Sequence, residues 1–199
     1  MMRPYALQPH PLSPEYIWRT AASGVPWQVS VAVQGTAQAL LLEYDLRAPP
    51  GGITLPPCSA VPQRGDQLWR HSCCELFIAL PNEPAYLEFN FSPSGDWAAY
   101  IFDAPRQGMR AHHWQGAEPS IHMADLARVP EGVTRLCVTL PWAALSAQHT
   151  RAAQIWAAGL CVVLSTLEGT QSFWALQHLA AQPDFHDRGG FAATLEVPE

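Results

Sequence analysis

Cys73-Cys74-Glu75-Leu76-Phe77-Ile78-Ala79-Leu80, Tyr86-Leu87-Glu88-Phe89-Asn90-Phe91-Ser92 and Trp97-Ala98-Ala99-Tyr100-Ile101-Phe102 decide the fold class. In the first stretch Cys74, Leu76, Ile78 and Leu80 share one side, with Glu75 and Phe77 on the other. In the second, Leu87, Phe89 and Phe91 alternate with Tyr86, Glu88, Asn90 and Ser92. Period-2 alternation over six to eight residues is the mark of a β-strand with one face on a core. Pro81-Asn82-Glu83-Pro84 and Ser92-Pro93-Ser94-Gly95-Asp96 between the stretches are rich in turn-forming residues. Three short strands joined by tight turns make an antiparallel meander.

The same pattern extends outward from this centre. Trp27 to Val33 and Ala39 to Leu46 flank a turn at Gln34-Gly35-Thr36 and predict a hairpin. Further strands are expected at Val133 to Leu140, Gly159 to Ser165, Ser172 to Leu176 and Phe191 to Val197. Arg47 to Gln67 holds five Pro and three Gly, so no regular element can run through it. Long loops of this kind are usually functional or mobile. Pro141-Trp142-Ala143-Ala144-Leu145 and Ala147 to Ala157 are the two stretches with helical character. About ten short strands with one or two short helices predict an all-β chain, an antiparallel β-sandwich or jelly roll, in a single domain over residues 1–199.

Composition narrows the partners. The chain has 199 residues, 48% hydrophobic and only 14% charged, with a net charge of -6. Its 11 basic residues are all Arg and do not cluster, which argues against a nucleic-acid surface. Aromatic and aliphatic residues run from end to end, which excludes general disorder. No apolar run approaches the length that spans a bilayer, and Met1 to Pro11 lacks the apolar core of a signal sequence. A cytoplasmic protein without membrane partners is therefore expected. Five Cys with no C-x-x-C spacing read as reduced, partly buried thiols, not as a zinc or redox site. No Gly-x-Ser-x-Gly, P-loop or His-Glu-x-x-His occurs, so no catalytic residue and no metal site is assigned.

Trp69 precedes Glu75 by six residues at the entry to the first central strand. Tyr86-Leu87-Glu88-Phe89 leads to Pro93 and Gly95 in the second. With Pro141-Trp142-Ala143-Ala144-Leu145, Trp174-Ala175-Leu176, Pro183-Asp184-Phe185-His186 and Phe191, these residues resemble the DOMON-like β-sandwich domains related to family 9 carbohydrate-binding modules, in particular an uncharacterised bacterial subgroup. The resemblance covers about Trp69 to Phe191. It implies a non-catalytic fold that binds a carbohydrate or similar small polar ligand, since sugar-binding relatives clamp a terminal sugar between two Trp rings. Trp69 matches one of those positions, and Trp174 is the candidate for the other. Relatives that bind haem use a Met and a His. Met109 and several His are present, but no motif places such ligands here.

Trp69 stands where a loop meets a strand, and an indole there can stack on the C–H face of a pyranose. The competing role for both Trp69 and Trp174 is core packing. Glu75, Glu88 and Asn90 fall on the less apolar sides of paired strands, where carboxylates and amides can bond sugar hydroxyls. The competing picture is a solvated outer face partnered by Arg70 or Arg135. Arg106, in a turn-rich loop, offers a guanidinium fork. Arg70, His71, Ser92, Asp184 and His186 are secondary candidates. His178, Asp184 and His186 form the nearest approach to a metal set, but their spacing suits loop ordering better, and His112-His113 reads as surface. No cofactor is expected, although the sequence leaves calcium open. Two other classes compete with sugar binding: a protein-interaction module or ligand-less scaffold, and a haem-binding domain. Glu75 and Glu88 would form a glycosidase pair only at a suitable separation, which sequence does not give.

Overall fold

The computed structural model describes residues 1–13, 26–79, 83–125, 127, 129–146 and 155–196. Leu80, Pro81 and Asn82 of the first expected turn, residues 147–154 of the second expected helix, and Val197 lie outside these. Twelve strands are present among the described residues. They are β1 (Arg3–Pro9), β2 (Gln28–Gly35), β3 (Ala39–Arg47), β4 (Cys73–Ala79), β5 (Tyr86–Phe91) and β6 (Trp97–Phe102), then β7 (Arg110–Ala111), β8 (Ser120–Met123), β9 (Val133–Pro141), β10 (Ile155–Ser165), β11 (Gln171–Ala175) and β12 (Ala193–Glu196). One helical turn, α1 (Ala143–Ser146), follows β9. The chain is nearly all β, as the alternation predicts.

All strand pairings are antiparallel, in the order β7-β6-β5-β4-β10-β11-β1-β2-β3-β9-β8. The sheet curls into two layers because β1 belongs to both. Arg3 to Leu7 pair with β2, while Gln8 and Pro9 pair with β11. A curled sheet of this kind is a β-sandwich or jelly roll. β12 adds to β10 at Ile155 to Ala158, ahead of the segment that β11 occupies.

The inner faces form one core. Val29, Val31, Leu40, Leu42, Leu136 and Val138 from one layer meet Leu76, Ile78, Leu87, Phe89, Leu160 and Val162 from the other. One polar bond crosses it, from the Tyr44 hydroxyl to the Glu75 carbonyl at 3.1 Å. A buried phenol keeps a partner because losing one costs about 1–3 kcal/mol.

The layer carrying β4, β5 and β6 is covered on both faces, and every residue of these strands is buried. Its outer face holds a second apolar cluster of Phe77, Tyr86, Tyr100, Phe102, Cys161 and Phe191. Leu68, Trp69 and Phe185 pack over it from the loops. The competing picture of a solvated outer face does not hold: segments from two distant parts of the chain cover it.

Three other expectations change. Residues 155–157, expected to end a helix, begin β10. Their partners are β12 and Ala79, and a strand that finds two neighbours wins over the local helix preference of Ala. The Arg47–Gln67 segment is docked, not loose. The Ser72 hydroxyl donates to the Thr54 carbonyl at 2.6 Å and Gly65 N–H to Trp97 O at 2.7 Å. Arg64 lies over the Trp97 ring at 4.2 Å and donates to the Ala99 and His112 carbonyls. His112 is buried, not surface, with Nε2 at 2.7 Å from Ala144 O.

Candidate functional site

The outer face of the second layer is not sealed completely. A cavity of about 390 Å³ opens between the loops, within the size range of small-ligand pockets. Strand residues Glu75, Glu88, Val163 and Phe102 form its floor. Trp69, Phe173 and Phe185 are aromatic walls. Arg70, Arg106, Met109, Gln171, Pro183 and His186 complete the lining.

Register explains why the two carboxyls meet. In the β4–β5 pair Glu75 sits opposite Asn90, and Phe77 opposite Glu88. Glu75 and Glu88 are thus diagonal neighbours on one face, at a spacing long side chains can bridge. Both are buried, Glu75 at 3% exposure and Glu88 at 4%. Asn90 stands beside them on the same face, fully buried, and donates from Nδ2 to Glu88 Oε1 at 2.7 Å. Its Oδ1 receives the Cys73 thiol at 3.6 Å. Glu75 Oε1 has no hydrogen-bond partner and no access to solvent.

Burial raises the pKa of both carboxyls. It pushes Glu75 well above the usual carboxylate range, and the nearby Glu88 charge adds to the effect. Glu88 is held at about 7 by burial, against the opposing pull of the Asn90 amide and Arg106. Two carboxyls sharing one site titrate as a pair. Burial and their mutual repulsion therefore both favour protonation of the floor.

A hydrogen-bond chain borders Glu88. The Arg106 amide donates to the Tyr86 hydroxyl at 3.2 Å, and that hydroxyl lies 2.7 Å from His186 Nδ1. With its oxygen already accepting, Tyr86 donates onward to Nδ1, which leaves the proton of a neutral His186 on Nε2. Nε2 faces Glu88 Oε2 at 3.9 Å. Burial, reinforced by Arg106, lowers His186 to about 4, so the ring is neutral at physiological pH. Arg106 itself adopts φ 57° and points its guanidinium at Asp184 Oδ1, at 2.8 and 3.1 Å. The same oxygen accepts from His186 N–H at 3.0 Å. Arg106 and Asp184 thus tie the two loops together at the rim.

Trp69 rides on a 3₁₀ turn, Leu68–Arg70. Tyr100 fixes that turn: its hydroxyl donates to Asp66 at 2.5 Å and accepts from Gln67 N–H at 3.2 Å. The Trp69 ring packs edge-on against Tyr100 with centroids 5.5 Å apart.

Of the residues singled out from sequence, Trp69, Glu75, Glu88 and Arg106 line one cavity, joined by Arg70 and His186. Four others do not. Trp174 is corrected to the core: at 2% exposure it packs into the inner cluster, and its indole N–H donates to the Ser172 hydroxyl at 3.0 Å. Successive strand side chains point to opposite faces, so its neighbour Phe173 reaches the cavity instead. Asn90 bonds Glu88 from the same face without lining the cavity. His71 is exposed beside the 3₁₀ turn and does not line the cavity. Ser92 is buried in the β5–β6 turn, bonded to the Ser94 hydroxyl and amide. Arg135 pairs with Asp45 and Glu43 on the other layer, away from both carboxyls. Sequence reasoning missed Phe102, Phe173, Phe185 and Gln171. Phe173 and Gln171 share strand parity, which was the available signal. Among the described residues no group of His, Cys, Asp and Glu converges as a metal site.

No protein-family model matches the chain, and no curated protein is similar to it. Solved structures similar to it include the following two. One is a "putative carbohydrate-binding protein" from Bacteroides uniformis, at TM-score 0.68 and 16% identity, covering 99% of this chain and 87% of that one. The other is a family 9 carbohydrate-binding module from Caldicellulosiruptor kristjanssonii in complex with cellotriose, at TM-score 0.52 and 7% identity, covering 98% and 82%. At such identities the likeness is one of fold: almost the whole chain follows the same β-sandwich path as these two proteins.

Proposed function

We propose that the protein is a non-catalytic, DOMON-like β-sandwich that binds a carbohydrate or similar small polar ligand in the cavity over β4, β5, β10 and β11. The observation that carries this reading is the lining. Aromatic surface from Trp69, Phe173 and Phe185 stands over two buried carboxyls, with guanidinium and amide groups at the rim. A pyranose presents that same combination, an apolar C–H face and a ring of hydroxyls. Aromatic rings take the first, and carboxyl, amide and guanidinium groups take the second. The shared fold with a cellotriose-binding module supports the same ligand class.

Trp69 stacks on the sugar ring, Phe173 supplies the second apolar wall in place of Trp174, and Glu75 and Glu88 bond the deepest polar groups. Arg106 holds the rim through Asp184 and offers its remaining N–H groups to the ligand. Titration calorimetry against a panel of mono- and oligosaccharides tests this reading. Saturable binding is expected, weakened at least about tenfold by Trp69→Ala or Phe173→Ala, with no sugar released from the panel. Binding that both substitutions leave unchanged would place the ligand elsewhere. A panel without any binding would overturn carbohydrate recognition.

A further inference from the structure

The cavity floor is unbalanced in charge and in hydrogen bonding. Its two strand carboxyls lie side by side, and no cationic side chain among the described residues stands between them. Arg106 stands at the rim with its guanidinium on Asp184. Arg70 is exposed at the mouth. His186 reaches Glu88 only at 3.9 Å, in its neutral form. Asn90 satisfies one oxygen of Glu88, and Glu75 Oε1 meets no donor at all.

The surrounding titratable groups do not correct this. Tyr86, Cys73 and Cys161 are held neutral by burial, and they bring no positive charge. Tyr44, reaching from the opposite layer, engages only the Glu75 backbone carbonyl. The floor is thus acceptor-rich, desolvated and short of one cation. Aromatic walls over such a floor also favour a cation.

Resting on the carbohydrate reading of this same cavity, we infer that its ligand is a sugar bearing a protonated amine, seated with the ammonium on Glu75 and Glu88. An ammonium has three N–H donors, so it can serve both carboxyls together, whereas a neutral hydroxyl donates once. Its charge supplies the missing cation and allows the pair to ionise. Hydrogen bonds in which both partners are charged are roughly twice as strong as neutral ones. An acetylated amine fails on both counts: it has one N–H and no charge, and its acyl group must fit on the same floor.

Calorimetry with three trimers that differ at one substituent tests the inference: a glucosamine trimer, an N-acetylglucosamine trimer and cellotriose. The glucosamine trimer is expected to bind at least about tenfold tighter than the other two at pH 6. Repeating the titration in buffers of different ionisation heat should show proton release for the glucosamine trimer and none for cellotriose. Glu88→Gln should cut the preference to below about threefold, with a thermal melt confirming the fold. Equal or tighter binding of cellotriose or the acetylated trimer overturns the amine assignment and leaves sugar binding standing. A preference that survives in both Glu88→Gln and Glu75→Gln also overturns it. Failure of all three trimers to bind overturns both readings.

Discussion

Replacing Glu88 by Gln should alter the pH dependence of stability more than stability at any single pH. Glu88 is 4% exposed, and burial holds it at about 7, against an ordinary value of 4.5. A carboxyl whose folded value is raised favours the folded state while protonated. That stability is fully present below about 4.5 and is lost as pH rises through about 7, which amounts to about 3 kcal/mol. His186 runs in the opposite direction. Lowered from 6.5 to about 4, it must stay neutral to fold, so its contribution is present above about 6.5 and lost as pH falls through about 4. With 17% of its side chain exposed, solvent screening trims this to about 2–3 kcal/mol. The two windows overlap, so the wild type conceals both slopes and single substitutions expose them. Urea unfolding from pH 4 to 8.5, read as differences from the wild type, is the assay. Glu88→Gln should gain about 3 kcal/mol relative to the wild type between pH 4.5 and 8, roughly 6–12 °C in Tm for a domain of this size. Loss of the Glu88 charge also relieves Glu75, and that adds with the same sign. His186→Gln should lose about 2–3 kcal/mol relative to the wild type from pH 4 to 7. Curves that run parallel to the wild type in both variants would refute the buried, mutually offsetting pair.

Trp174→Ala should cost about 3–5 kcal/mol in chemical denaturation, because it empties a large site in the inner core. The folded fraction should still bind ligand with little change, in contrast to Trp69→Ala. Gly159→Ala should destabilise by about 1–3 kcal/mol. A Cβ there would stand 2.9 Å from the Phe191 ring and 3.3 Å from Phe77, both packed over the outer face, so a lower urea midpoint with weaker ligand binding is the expected signature.

The meander was legible because β4 and β5 each place one polar-rich and one apolar side in strict alternation, and β2 and β3 do the same. β1 escaped notice because Pro4 and Pro9 interrupt it and only Leu7 is buried, so its assignment depends on pairing with both β2 and β11. The site was legible as residue types but not as an environment. Glu75, Glu88 and Asn90 stand on one parity, yet the cover over them joins residues 68–70, next to β4, to residues 183–191, far along the chain. No local pattern encodes that closure. The Trp69–Trp174 pairing failed for a related reason. Phe173 and Trp174 are adjacent aromatics on opposite parities, and either could face inward. The partner strand decides, because Val162, an inner-face residue, sits opposite Trp174.

A protein with so few charged residues would lower its folding cost by keeping carboxyls out of its interior, and here two lie side by side beneath loops. Glu75 Oε1, buried without a donor, costs about 1–3 kcal/mol, and no packing gain requires it. Leu at position 75 would suit the apolar neighbours Phe77 and Val163 better for stability alone. Violations of local pattern that bring no stability concentrate where a fold meets a ligand. The cost at Glu75 falls at the one place where the outer face opens, beneath Trp69 and between loops locked by Arg106 and Asp184. Stability is given up there in the empty state, and a ligand that donates to the floor recovers it on binding. That coupling predicts ligand-induced stabilisation in the wild type that shrinks in Glu75→Leu, even though the empty variant melts higher.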